Sequence, residues 1–276
     1  MIIPSDISSR LQTDFIGRDI RFFDLIQSTN LTAREMAEMN TDEGAAVIAE
    51  AQNAGKGRAE KKWYSPPGKN IYTSLVLRPP IKPFMAFQLT LVAAVALKDT
   101  IAQFTQSVEK SDIEVKWPND ILISGKKCAG ILMEMKSLAD NIEYIILGVG
   151  VNVNMKRDDM ADEIADTATS LFISTGKEFT REPIVACLYL NIEKWYKRYL
   201  KDGFEPARNE WLLASAITGR RVKAVTSYQP STTGNKPEEC YEEGTAIGID
   251  NNGVLILRKD EGEIVKVIAG DIVLKL

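Results

Sequence analysis

The sequence predicts an α+β chain: a central, mostly antiparallel sheet flanked by helices, followed by a small β-barrel. β-rich runs interrupted by turn residues fill much of the stretch from residue 18 to residue 154, with helical periodicity in two segments between them. Two amphipathic runs follow, and beyond Ala216 roughly sixty residues are short β segments separated by turn residues. Residues 1–215 are therefore expected to form the larger unit and 216–276 the small barrel. A hydrophobic share of 45% beside 26% charged residues places the chain in the globular band.

Taken in order, Arg18 to Leu25 reads as a strand, and Gln27, Ser28, Thr29 and Asn30 supply caps for a helix from Leu31 to Met39. Ala45 to Gln52 is a short apolar strand that ends in the Gly-rich, basic stretch from Asn53 to Lys62. Asn70 to Leu77 resumes the sheet, and after a Pro-bounded turn (Arg78 to Pro83) a long apolar helix runs through Phe104 and lies across it. Glu114 to Trp117 is a strand stopped by Pro118, which leaves Asn119 and Asp120 in a turn. DILIS, AGILMEM and EYIILGVGVNVN read as consecutive antiparallel strands, with Ser124, Gly125, Lys126 and Lys127 turning between the first two. Helices are expected at Glu182 to Lys201 and Glu205 to Ala214, then strands in RRVKAVTS, GTAIGID, GVLILRK and EIVKVIAGDIVLKL. Asp250-Asn251-Asn252-Gly253 is a hairpin turn, since Asn and Gly tolerate positive φ, and Tyr228 to Glu239 reads as a mobile loop.

Composition excludes several chemistries. The chain has no histidine, so no Ser-His-Asp or Cys-His dyad and no imidazole base or ligand is available. Cys128, Cys187 and Cys240 are widely spaced and odd in number, which suits a reducing cytoplasm and neither a disulfide framework nor a zinc ribbon. Thirty-four basic against thirty-eight acidic residues leave a net charge of -4, so no overall field draws the chain to DNA or to an anionic membrane. The N-terminus lacks a signal-peptide pattern, and no eighteen apolar residues run together. An exposed sheet edge could pair two copies as a homodimer.

Basic chemistry must then be local, and three clusters offer it. Gly55-Lys56-Gly57-Arg58 with Lys61 and Lys62 combines close backbone approach with four cations, suited to phosphate or carboxylate. It is neither a P-loop nor a GxGxxG fingerprint, and Trp63 directly after it is either a stacking face or a core anchor. Lys116-Trp117-Pro118-Asn119-Asp120, with Lys126-Lys127 beyond, brings a carboxylate to face an ammonium if the flanking strands form a hairpin. A salt-bridged surface turn is the alternative. The glycines of Gly148-Val149-Gly150-Val151-Asn152 imply that either a ligand or a crossing helix packs against that strand.

The ordered set of Gln27-Ser28-Thr29-Asn30, Gln52, Gly55-Lys56-Gly57-Arg58, Trp63-Tyr64-Ser65-Pro66 with Gly68, Lys116 to Asp120, Lys127 with Ala129-Gly130-Ile131, and Gly148 to Asn152 resembles the successive signatures of the biotin protein ligases. The resemblance covers roughly residues 18 to 276. It implies a class II synthetase-like catalytic domain with an SH3-like C-terminal barrel, and use of ATP, biotin and Mg2+ to adenylate biotin and pass it to a lysine of a biotin carboxyl carrier domain. It assigns Arg58, Asp120 and Lys127 to catalysis. Biotin would be met by Ser28, Thr29, Asn30, Gln52, Gly55, Lys56, Arg58, Lys127 and Gly130, and ATP by Arg58, Lys61, Trp63, Asn119, Lys127 and Asn152. Asn119 and Asp120 would serve a metal. Most relatives carry arginine where this chain has Lys56 and Lys61, and lysine lacks the planar fork that grips phosphate bidentately. The segment before Arg18 is short for the roughly sixty residues of a helix-turn-helix domain, as expected of the single-function class. Lipoate- or octanoate-protein ligases of related fold, and a non-catalytic biotin sensor, are the alternatives; ATP, biotin and a carrier domain together would separate them.

Overall fold

A computed structural model describes residues 1–59, 61–106, 108–109, 112–229 and 238–274. Its main sheet has seven strands: β1 (Ile20–Ile26), β2 (Ala46–Gln52), β3 (Ile71–Leu77), β4 (Ile113–Lys116), β5 (Asp120–Ile123), β6 (Lys126–Leu138) and β7 (Asn141–Val151). They lie in the order β1-β2-β3-β7-β6-β5-β4. Only β1 and β2 run parallel, because helix α2 (Thr29–Glu38) intervenes and returns the chain in the same direction. Every other neighbouring pair is antiparallel.

The sheet is the middle layer. β2 and β3 are buried along nearly their whole lengths, so both faces must be covered. On one face Ala33 and Ala37 of α2 pack against Val47, Val76 and Ile146. The other face carries the main core with α3 (Ala86–Phe104), α5 (Glu182–Asp202) and α6 (Glu205–Leu213). Helix α3 with its preceding turn is long and apolar enough to cross a membrane by length and composition, but most of it is buried inside this core. Two short helices escape the periodicity reading. In α1 (Pro4–Arg10) only Ile7 is buried, and α4 (Leu171–Thr175) is a single turn capped by Ser170 and ended by Gly176 at φ +71.

The C-terminal sheet is antiparallel, ordered β11-β10-β9-β8-β12, from β8 (Arg221–Gln229), β9 (Glu238–Ile249), β10 (Leu255–Arg258), β11 (Ile264–Val267) and β12 (Asp271–Leu274). The segment from Glu263 onward, expected as one strand, breaks between Val267 and Asp271 at Gly270, which has φ +152 and where a Cβ would stand 2.6 Å from the Val225 carbonyl. Of the loop expected from Tyr228 to Glu239, residues 230–237 lie outside the described residues, and its ends are strand. Asp250 and Gly253 do form the β9–β10 turn, with the Asp250 carboxylate accepting from the Asn252 and Val254 amides.

That turn locks the two sheets together. Gln88 of α3 donates to the Asn251 carbonyl at 3.1 Å, and the indole Nε1 of Trp117 donates to the Gly253 carbonyl at 3.1 Å. Trp117 is 1% exposed and meets Phe87 edge-on. Its place before Pro118 is thus explained by packing between the two sheets, which the reading as a plain surface turn left unaccounted for. The open edge of β4 is covered by the connecting chain: Val115 donates to the Ala214 carbonyl and Ala216 donates to that of Val115.

Candidate active site

A cavity of about 360 Å³ is lined by α2, the 56–64 loop, β4 to β7 and the start of β12. Among its lining side chains are six cations (Lys56, Arg58, Lys61, Lys62, Lys116 and Lys127) against two carboxylates (Asp120 and Asp271). This net +4 sits in a chain of net -4, so the field that is absent globally is concentrated here.

One end of the cavity is polar and uncharged. Gln52, the last residue of β2, accepts from the Thr29 amide at 2.8 Å and from the Thr29 hydroxyl at 3.2 Å, so its side chain caps α2 in the role expected of the run from Gln27 to Asn30. Ser28 occupies the N-cap position without a capping hydrogen bond, and it is left facing the cavity. Gln52 also donates to Ser65 Oγ at 2.9 Å, which fixes which way its amide points. Ser74 of β3 bonds both Thr29 and Asn30. Asn30 in turn donates to Glu134 at 2.7 Å and to the Leu132 carbonyl at 3.3 Å. Asn30 therefore reaches the cavity with its amide already engaged in protein contacts. Ser74 and Glu134 were not anticipated, although an acidic residue inside the apolar run AGILMEM was a usable signal.

The glycines of β6 and β7 carry the cavity floor. A Cβ on Gly148 would stand 2.1 Å from Asn30 Oδ1, and one on Gly150 would stand 2.5 Å from Trp63. One on Gly130 would stand 3.0 Å from Trp63 and 3.1 Å from Lys127. Of the two readings, a crossing helix holds at Gly148, where α2 lies against the strand through Asn30, and at Gly150 Trp63 from the basic loop lies over the backbone on the cavity side. Trp63 is half-buried, has Lys127 Nζ at 5.2 Å from its ring centroid, and leaves its buried Nε1 without a partner among the described residues. Gly55, expected at biotin, is not among the residues lining the cavity; a Cβ on it would stand 2.5 Å from the Trp63 carbonyl and 2.7 Å from Ser65 Oγ.

At the charged end, Ser124 and Gly125 with positive φ make the β5–β6 turn, and Lys126 and Lys127 belong to the strand instead of the turn. Asp120 opens β5 and pairs with Lys127 Nζ at 2.6 Å, without good hydrogen-bond geometry. The Lys127 backbone is held by Thr167 and Thr169, which brings Ala168 to the wall. Asn152, 5% exposed, anchors this wall by donating to the Thr169 carbonyl at 3.0 Å.

The 56–62 loop is closed by its own backbone: Gly57 donates to the Lys61 carbonyl, and Trp63 to that of Gly55. Arg58 donates to Asn119 Oδ1 at 3.2 Å and to the Gly270 carbonyl at 3.3 Å, with Asp271 at 3.8 Å. Burial lowers the Arg58 pKa, while Asp271 and Asp120 oppose the shift. Asp271 also pairs with Lys61; despite the cost of burial, Lys61 and Arg58 hold its carboxyl below the usual range. Asp271 comes from the far end of the chain, and no local pattern marks it. Lys56 and Lys62 are exposed and joined through their backbones.

Asn119 and Asp120 make a poor metal cage. Asn119 Oδ1 faces the Arg58 guanidinium, Asp120 is paired with Lys127, and no three His, Cys, Asp or Glu side chains cluster among the described residues.

The Biotin/lipoate A/B protein ligase family matches residues 22–152, and the Biotin protein ligase C terminal domain matches residues 238–275. The chain is 39% identical over 268 residues to a bifunctional ligase/repressor BirA of Bacillus spizizenii, covering 97% of this chain and 78% of that protein. It is 34% identical over 236 residues to a biotin--[acetyl-CoA-carboxylase] ligase of Paracoccus denitrificans, covering 85% and 92%. Among solved structures, the biotin protein ligase of Aquifex aeolicus in complex with biotin and ATP superposes with a TM-score of 0.74 at 25% identity, over 94% of this chain and 99% of that one.

Proposed function

Because this chain belongs to the biotin protein ligase family, we propose that it activates biotin with ATP and transfers the biotinyl group to a lysine of a biotin carboxyl carrier domain. The observation that carries this reading is the cavity itself, with hydroxyl and amide groups at one end and a net +4 at the other. A neutral ureido ring suits the first end, and a carboxylate beside a triphosphate suits the second.

In the first half-reaction a biotin carboxylate oxygen bonds to the α-phosphorus of ATP. The bond to the β-phosphate oxygen breaks, and pyrophosphate leaves with the electron pair. Arg58 and Lys127 neutralise the charge that builds on the phosphoryl oxygens, which requires no histidine. Ser28 and Gln52 hold the ureido ring, while Trp63 and Asn152 face adenine. Magnesium, which Asn119 and Asp120 are poorly placed to hold alone, would add charge neutralisation there when bound. In the second half-reaction the acceptor amine bonds to the acyl carbon, the bond to the AMP oxygen breaks, and one amine proton is lost by way of Asp120. Residues 1–215 hold these groups, and the unit from 216 onward adds Asp271 to the wall. A reducing, cytoplasmic setting suits three free cysteines.

Incubation with Mg-ATP, biotin and a carrier domain, followed by mass spectrometry, should show one biotin added to one carrier lysine. A folded enzyme that releases no pyrophosphate and adds no biotin overturns the reading.

A further inference from the structure

The cations of the cavity are not equivalent. Arg58 and Lys61 share Asp271, and Lys127 is paired with Asp120. Lys56 and Lys62 are open to solvent. Lys116, the last residue of β4, lines the cavity half-buried, and among the described residues its ammonium has no hydrogen-bond or ion-pair partner. It stands directly opposite Asp120 in the β4–β5 register, so the two side chains share one face of the sheet. Burial lowers its pKa, Asp120 and Asp271 oppose that shift, and Lys127 and Lys61 add to it. A partly desolvated ammonium in a pocket whose carboxylates are already committed needs an anion.

The sheet order indicates which anion. The hydroxyl and amide end lies at α2, β2 and β3, whereas Lys127, Asp120 and Lys116 sit on β6, β5 and β4, successively farther from it. Two inter-strand spacings separate β6 from β4, about 10 Å. If Lys127 meets the α-phosphate, Lys116 lies outward by roughly the reach of the two remaining phosphoryl groups. We propose that Lys116 binds the β- and γ-phosphate oxygens of the nucleotide, the part that departs as pyrophosphate. This rests on the adenylating function above. In that step the α-phosphorus to oxygen bond breaks with its electron pair on the departing group, and Lys116 neutralises the charge gained there. The second half-reaction contains no pyrophosphate, so Lys116 has no part in it.

Lys116→Met keeps the aliphatic stem and removes the charge; Lys116→Arg keeps the charge. Calorimetry with inorganic pyrophosphate should show at least roughly tenfold weaker binding to Lys116→Met than to the wild type, and near wild-type binding to Lys116→Arg. ATP–pyrophosphate exchange should fall by roughly ten- to a hundredfold in kcat/KM for Lys116→Met, with KM for biotin unchanged. Single-turnover transfer from synthetic biotinyl-5′-AMP should stay within about twofold of the wild type. Unchanged pyrophosphate binding, or equal losses in both half-reactions, overturns the proposal. If the wild type performs no exchange at all, the functional reading fails, and the calorimetric comparison still decides whether Lys116 binds pyrophosphate.

Discussion

Gly150→Ala tests whether Trp63 serves the ligand or the core. The added Cβ would stand 2.5 to 2.7 Å from three atoms of the Trp63 indole, where ordinary carbon contacts need about 3.5–4.0 Å. The ring must therefore rise by roughly 1 Å. It cannot move into the sheet, since the backbones of β6 and β7 at Gly130 and Gly150 lie directly beneath it. The remaining direction is the cavity of about 360 Å³. A clash in a closed core costs about 1–3 kcal/mol, but a half-buried ring with open space above it relaxes, so the stability loss should stay below about 1 kcal/mol, a few degrees in Tm. The intruding ring narrows the adenine side, and KM for ATP should rise roughly tenfold, equivalent to about 1.4 kcal/mol, with KM for biotin nearly unchanged. Thermal denaturation and ATP–pyrophosphate exchange measure the two quantities. On a Trp63→Ala background these three close contacts are gone, so Gly150→Ala should cost far less there, a coupling that a double-mutant cycle reads directly. A large fall in Tm with both Michaelis constants unchanged would make Trp63 a core anchor and refute the reasoning.

Three further outcomes are expected. Asp120→Asn should slow transfer from preformed biotinyl-adenylate more than adenylate formation, whereas Lys127→Ala should damage both; small, equal effects measured in single turnovers would reduce the pair to a salt bridge worth at most about 1 kcal/mol. Gly253→Ala combines a φ of +83 with a Cβ 2.6 Å from Leu91, so it should cost about 1–2 kcal/mol and red-shift tryptophan emission as Trp117 loses its partner; a wild-type spectrum and Tm would show that the hairpin does not brace that turn. Burial alone would raise the Glu50 pKa, but Arg181, bonded at 2.6 and 2.7 Å, lowers it from its ordinary 4.5; the pair's contribution is therefore full above about pH 4.5 and is lost as pH falls through the lower folded value. Glu50→Gln should cost about 3–5 kcal/mol by stranding the buried Arg181 charge and should flatten that acid limb, read by urea denaturation across pH.

Sequence by itself determined the fold class, the order of the principal strands and helices, and the basic loop with its tryptophan. These follow from local rules: period-2 and helical patterning, proline at Pro118, the Asp250–Gly253 turn, and cations beside glycine. It also showed that catalysis must proceed without histidine. Tertiary structure alone decided who faces whom. Asp271 reaches Arg58 from 213 residues away only because β12 pairs with β8 and the Asp250–Gly253 turn docks on α3 and Trp117. Gln52 caps α2 because β1 and β2 are parallel neighbours, a pairing that no local pattern encodes. Trp63 and Asn30 occupy the places over Gly150 and Gly148 that the sequence left open between ligand and helix. Partnership across strands depends on register and sheet order, which are properties of the whole packed chain, and the placements of Lys116, Asp271, Ser74 and Glu134 emerged only there.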